Sequence, residues 1–108
     1  MILVVGGLGA GKRKFILEEL GYAPEQLSSV PEEGTPVLWG LEALVPLPPL
    51  EDLLSREVVA FREVGCGVVP LDQADRDRRE AIGRLCCDLA AQAEAVYRVN
   101  CGIAMQLK

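Results

Sequence analysis

The sequence predicts an α/β domain, a mainly parallel sheet flanked by helices with a terminal β-hairpin. Three observations predict it. An apolar, β-branched run from Ile2 to Val5 leads at once into a glycine-rich turn and then into a helix-compatible stretch, Lys12 to Leu20. Glu57 to Phe61 is apolar enough for a strand buried on both faces, as strands of parallel sheets are. Leu71 to Ala95 carries apolar residues at helical spacing, and beyond it Ala95 to Asn100 and Ile103 to Leu107 read as two strands joined by Cys101-Gly102.

The opening segment suits an anion. Gly6, Gly7, Gly9 and Gly11 carry no Cβ and reach positive φ readily, so the backbone can curl with its N–H groups inward at the start of the next helix. The helix dipole favours negative charge there as well. Gly6 and Gly11 bracket Gly7, Leu8, Gly9 and Ala10, and Lys12 follows, which completes the phosphate-loop (P-loop) frame G-x-x-x-x-G-K. Residues 6–13 are therefore the expected phosphate site, with Lys12 as a mobile charge for the outer phosphates. The next position ordinarily holds a Ser or Thr hydroxyl that binds Mg²⁺, but here it is Arg13, a permanent cation that cannot ligate a metal. Metal binding is expected to be weakened, supplied from elsewhere or absent, and no residue is assigned as a metal ligand. The competing reading is a glycine-rich turn after an edge strand that holds no ligand.

At 108 residues the chain is expected to be a single nucleotide-binding domain, 1–108. Half its residues are hydrophobic and a quarter charged, an ordinary globular balance. The net charge of −5 argues against general nucleic-acid binding, and positive charge gathers only at Lys12 to Lys14 and Arg76 to Arg84. The absence of histidine removes imidazole bases, nucleophiles and metal ligands. Cys66, Cys86, Cys87 and Cys101 lack a zinc spacing and are expected to be buried reduced thiols. The first apolar run is too short for a signal peptide or a membrane span, so a cytoplasmic protein without membrane contact is expected.

Along the chain, Phe15, Ile16, Leu17 and Leu20 keep a helical stripe that Gly21 stops. Tyr22 to Pro36 reads as a connecting segment with one helical turn near Pro24 to Leu27. Pro36 to Trp39 is a second short strand closed by Gly40, and Pro46, Pro48 and Pro49 forbid regular structure until a helix can begin near Leu50. The Glu57 to Phe61 strand runs into Arg62, where P-loop enzymes would place a metal-binding Asp, and then Glu63. Ligands of parallel sheets sit at the carboxyl ends of strands, so Glu63 is the candidate catalytic carboxylate, with loop capping as the alternative. Gly65 to Pro70 is a tight loop open to close approach. On the long helix Ile82, Leu85, Cys86, Leu89, Ala93 and Val96 form the core face, while Arg76, Arg79 and Gly83 lie elsewhere near its start. Taken alone, that second group reads as a solvated charged turn balanced by Asp72, Asp75, Asp77 and Glu80.

Four stretches together resemble one family: Met1-Ile-Leu-Val-Val-Gly-Gly-Leu-Gly-Ala-Gly-Lys12, Glu63-Val-Gly-Cys-Gly-Val-Val-Pro70, Arg76-x-x-Arg79-Glu-x-x-Gly83-Arg84, and Val96-Tyr-Arg-Val-Asn-Cys-Gly-Ile103 to Leu107-Lys108. They look like the adenosylcobinamide kinase / adenosylcobinamide-phosphate guanylyltransferase of cobalamin (vitamin B12) assembly. The resemblance implies a RecA-like P-loop domain in a homo-oligomer, usually a trimer. It implies phosphorylation of the aminopropanol hydroxyl of a cobinamide-type corrinoid with ATP or GTP, followed by GMP transfer from GTP. By the same resemblance Gly6, Gly7, Gly9, Gly11 and Lys12 hold the phosphates, Glu63 belongs to the active-site loop, and Arg76 and Arg79 stand where family arginines sit, beside the nucleotide.

The chain also departs from the family. Members are longer, and the segment missing here carries the histidine that becomes guanylylated. The acid of the middle strand is not evident unless Glu42 serves, and an Asn-Gln pair of the long helix is replaced by Cys86-Cys87. The expected function is accordingly nucleotide binding in cobalamin biosynthesis, with GTP or ATP as cofactor and kinase-type phosphotransfer at most. The alternatives are a non-enzymatic nucleotide-binding or regulatory subunit, with Arg13 as counter-charge, and a structural partner that keeps only the fold.

Overall fold

The computed structural model describes residues 1–7, 9–32, 34–62 and 73–108. Apolar β-branched runs, too dense for a sheet with one wet face, make the central strands β1 (Ile2–Gly6), β3 (Val37–Trp39) and β4 (Val58–Arg62). With β2 (Leu27–Ser28), β5 (Ala95–Asn100) and β6 (Ile103–Gln106) they form one sheet in the order β2-β3-β4-β1-β5-β6. All neighbours pair in parallel except β5 and β6, the hairpin that the sequence predicts. β1 lies between β4 and β5, with Val4 beside Ala60 on one side and Tyr97 on the other. From β1 the chain runs to the edge strand β2, returns inward through β3 to β4 beside β1, and only then crosses to β5 on the other side of β1. The loop after β1 therefore opens where the sheet changes direction, the usual crevice for a ligand.

Period-two alternation assigns each strand residue to one of two cores. Leu3, Val5, Leu38, Val59, Phe61 and Val96 face the side covered by α2 (Leu50–Leu54) and α3 (Gln73–Gln92), meeting Leu53 and Leu89. Val4, Val37, Val58, Ala60 and Val99 face the other side, covered by Phe15 and Ile16 after the glycine loop. The Phe15 ring also tilts against Tyr97, with centroids 5.1 Å apart. An α/β P-loop fold with helices on both faces is what these cores require.

Several short elements differ from the sequence reading. The stretch after Lys12 is not a regular helix to Leu20: α1 covers only Lys12–Lys14, and Phe15–Glu19 widens into a π-helix closed by Leu20 N–H on the Phe15 carbonyl at 3.1 Å. In this geometry the consecutive Phe15 and Ile16 are both buried, and left-handed Gly21 follows. The turn near Pro24 is a 3₁₀ helix, Pro24–Gln26, but β2 directly after it and the 3₁₀ turn Leu41–Ala43 are too short for any periodic signal. α3 spans Gln73–Gln92 of the predicted 71–95 helix, whose first two residues lie outside the described residues. Ala93 and Val96 still reach the core past the helix end, as their spacing predicts.

The thiols separate by position. Cys86 is half-buried against the α3-side core, whereas Cys87 and Cys101 are exposed, so burial holds for Cys86 alone among the described cysteines; Cys66 lies outside them. Burial first, then the neighbouring Cys87 and Glu42, pushes the Cys86 thiol up from its ordinary 9.0 to about 12. Folding thus favours its protonated form. That contribution is complete below pH 9.0 and is lost as pH rises toward about 12. Tyr22 shifts in the same direction from 10.0, through burial and then its hydrogen bond to Glu57. Two outcomes are expected: a neutral alkylating reagent labels Cys87 and Cys101 well before Cys86, read by peptide mass spectrometry, and the urea midpoint falls in strong alkali. Equal labelling of Cys86 and Cys87 would contradict this assignment.

Candidate functional site: the glycine loop and two flanking clefts

The site begins where β1 ends. Gly6 is buried against β5, and a Cβ there would lie 2.5 Å from the Val99 carbonyl oxygen, so only glycine fits. The Gly7 carbonyl accepts the Ala10 N–H at 3.2 Å, which turns the chain, and Gly9 (φ 70°) and Gly11 (φ 100°) take left-handed conformations. The loop is braced from behind by the terminal hairpin. Its turn, Cys101 (φ 53°) and Gly102 (φ 74°), donates the Gly102 N–H to the Ala10 carbonyl at 2.8 Å.

Lys12 is only 7% exposed, and its ammonium donates to the carbonyls of Gly6 at 3.1 Å and Gly7 at 2.8 Å. A buried ammonium requires such acceptors. Its Nζ also lies 5.8 Å from the centroid of the Trp39 ring, at the end of β3. Lys12 and Trp39 together line two clefts. One, about 520 Å³, is bounded by Gly9 to Lys14, Leu17 and Glu18; the other, about 500 Å³, by Ser29, Gly40, Glu42, Ala43, Phe61 and Arg62. In the first, Lys14 pairs with Glu18 at 3.9 Å, and Arg13 is exposed.

Glu42 reaches the second cleft through local geometry. Left-handed Gly40 (φ 78°) starts the turn Leu41–Ala43, which swings the Glu42 carboxylate back to accept the Arg62 N–H at the end of β4. Arg78 of α3 fixes the same turn, donating to the carbonyls of Glu42 and Leu44, both at 2.7 Å. The acid that the middle strand lacks is thus approached by a residue beyond the strand's end.

Gly6 and Gly7 bond Lys12 and Gly9 to Arg13 line the first cleft with it, while Leu8 and Glu63, with the Gly65 to Pro70 loop, lie outside the described residues. Arg76 is exposed and Arg79 half-buried on the early turns of α3, and neither lines the two clefts. Two contributors escape sequence reasoning. Trp39, the sole tryptophan, had the signal of an aromatic at a strand's carboxyl end. Arg78 had none, because a charged run reads as a solvated face.

P-loop proteins commonly hold Mg²⁺ beside the phosphates, through oxygen ligands. Among the described residues the carboxylates lining the two clefts are Glu18, paired with Lys14, and Glu42, which accepts the Arg62 N–H, while a guanidinium occupies the hydroxyl's position. No cluster of three or more His, Cys, Asp or Glu suited to a metal occurs among the described residues. The donor set of the described residues does not fit the usual P-loop magnesium site.

A parallel α/β sheet with a glycine loop and a buried lysine at the carboxyl end of its central strand defines the class of P-loop nucleotide-binding domains. The cobinamide kinase / cobinamide phosphate guanyltransferase family is matched over residues 48–107, more than half of the chain. The chain belongs to that family, whose role lies in cobalamin biosynthesis with nucleotide and corrinoid substrates. The match runs from the start of α2 through β6, and the glycine loop lies outside it. No individual curated protein matches the chain. Among the described residues no helix is long and apolar enough to cross a membrane.

Proposed function

We propose that the chain binds ATP or GTP at the Gly6 to Arg13 loop and acts in cobalamin biosynthesis, at most as the kinase of its family. The observation that carries this reading is Lys12, buried at the centre of a glycine loop on a member of this family and held by the loop's own carbonyls. A nucleotide's outer phosphates would draw the ammonium from those carbonyls. Phosphoryl transfer needs positioning and charge more than covalent help. In the proposed step the cobinamide hydroxyl oxygen bonds to the γ-phosphorus and the bond to the β-phosphate oxygen breaks. The nucleoside diphosphate leaves, and the hydroxyl proton passes to a carboxylate, for which Glu63 is the candidate and Glu42 the one lining a described cleft. Arg76 and Arg79 are assigned to the nucleotide side by resemblance alone. Guanylylation is excluded from the proposal because the chain has no histidine to carry GMP.

The proposed setting is cytoplasmic, as a homo-oligomer of the single domain 1–108, without nucleic acid or membrane as partners. The second reading, a non-enzymatic nucleotide-binding subunit, is favoured by Arg13 in the loop cleft. Incubation of the full chain with cobinamide and ATP or GTP, with and without Mg²⁺, separates the two. Cobinamide phosphate should form. Nucleotide binding without any phosphorylation would leave the subunit reading and remove the kinase.

A further inference from the structure

We propose that this loop binds nucleoside triphosphate in its metal-free form, the Arg13 guanidinium standing in for the divalent cation that other phosphate loops recruit. The inference rests on the nucleotide-binding reading above and goes beyond it in naming the ligand's charge state.

Four observations support it. Arg13 occupies the position whose hydroxyl would hold the metal, and it lines the same cleft as Gly9, Gly11 and Lys12. Its guanidinium is exposed, and no described residue pairs with it, whereas Lys14 beside it is engaged by Glu18. Its planar fork of donors matches phosphate oxygens and stays charged at any working pH. Among the described residues, the cleft sets Lys12, Arg13 and Lys14 against a single carboxylate, Glu18. A divalent ion bound here would meet a permanent cation at short range and find no hydroxyl among the described residues that line this cleft. It would also neutralise the phosphate charge that these cations attract. Free triphosphate keeps that charge.

Calorimetric titration of the full chain with GTP and with ATP, each in excess Mg²⁺ and in excess EDTA, tests this. Chelation should leave the affinity within about threefold or raise it, since Arg13 supplies the counter-charge. In Arg13→Ser the affinity in EDTA should fall on the order of tenfold, and Mg²⁺ should now strengthen binding. Loss of binding by the parent chain in EDTA would overturn the inference while leaving the nucleotide reading intact. An Arg13→Ser chain that binds in EDTA as tightly as the parent would overturn it too. Absence of binding under every condition would remove the nucleotide reading itself.

Discussion

Gly6→Ala should lower the melting temperature by roughly 10–20 °C, the loss expected when overpacking costs about 2–3 kcal/mol in a domain of this size. The added Cβ would stand 2.5 Å from the Val99 carbonyl oxygen, a distance no carbon–oxygen contact tolerates. Relief by local movement is blocked from both sides. Gly6 belongs to β1 and Val99 to β5, which pair in parallel register, and Val99 is itself 1% exposed in the core. Separating them means breaking the ladder that carries the loop. Gly7→Ala is the control: a Cβ there meets nothing within 4 Å, and its φ is not positive. That variant should stay within about 0.5 kcal/mol of the parent. Thermal and urea denaturation of both variants decide the matter, and equal melting temperatures would show that β1 and β5 are not packed as described.

The contrast between these neighbouring glycines shows how far the sequence could be read. The motif treats Gly6, Gly7, Gly9 and Gly11 alike, because its letters record only that side chains are absent. The fold separates them: Gly6 is needed for space, Gly9 and Gly11 for left-handed φ, and Gly7 for neither. β1, β3, β4 and the hairpin were legible because burial on both faces leaves uninterrupted apolar runs and because Cys101-Gly102 suits a tight turn. The π-helix at Phe15–Glu19 was not, since eight residues after the loop are compatible with either winding and only the sheet decides which one buries Phe15 and Ile16 together. Trp39 and Glu42 join the site through sheet order. β3 neighbours β4, β4 neighbours β1, and so residues some thirty positions from Lys12 line the same cleft. Nothing local records that adjacency.

Lys12→Ala should abolish nearly all nucleotide-dependent stabilisation while changing the ligand-free protein little. Two effects oppose each other in the free chain. The substitution removes the ammonium bonds to the Gly6 and Gly7 carbonyls, but it also removes the desolvation cost of a charge that is 7% exposed. The net change should lie within about 1 kcal/mol. With nucleotide there is no such cancellation, because the phosphates lose their most deeply held cation. A charged contact of this kind contributes about 3 kcal/mol, on the order of 100-fold in affinity. At a concentration 100 times the parent's dissociation constant, the ligand stabilises the parent by about 2.7 kcal/mol and the variant by only about 0.4 kcal/mol. Melting scans with and without GTP should therefore show a large upward shift for the parent and almost none for Lys12→Ala. A shift of equal size in both would mean that nucleotide binds somewhere other than this loop, and no shift in either would reduce the chain to the structural partner that its fold alone allows.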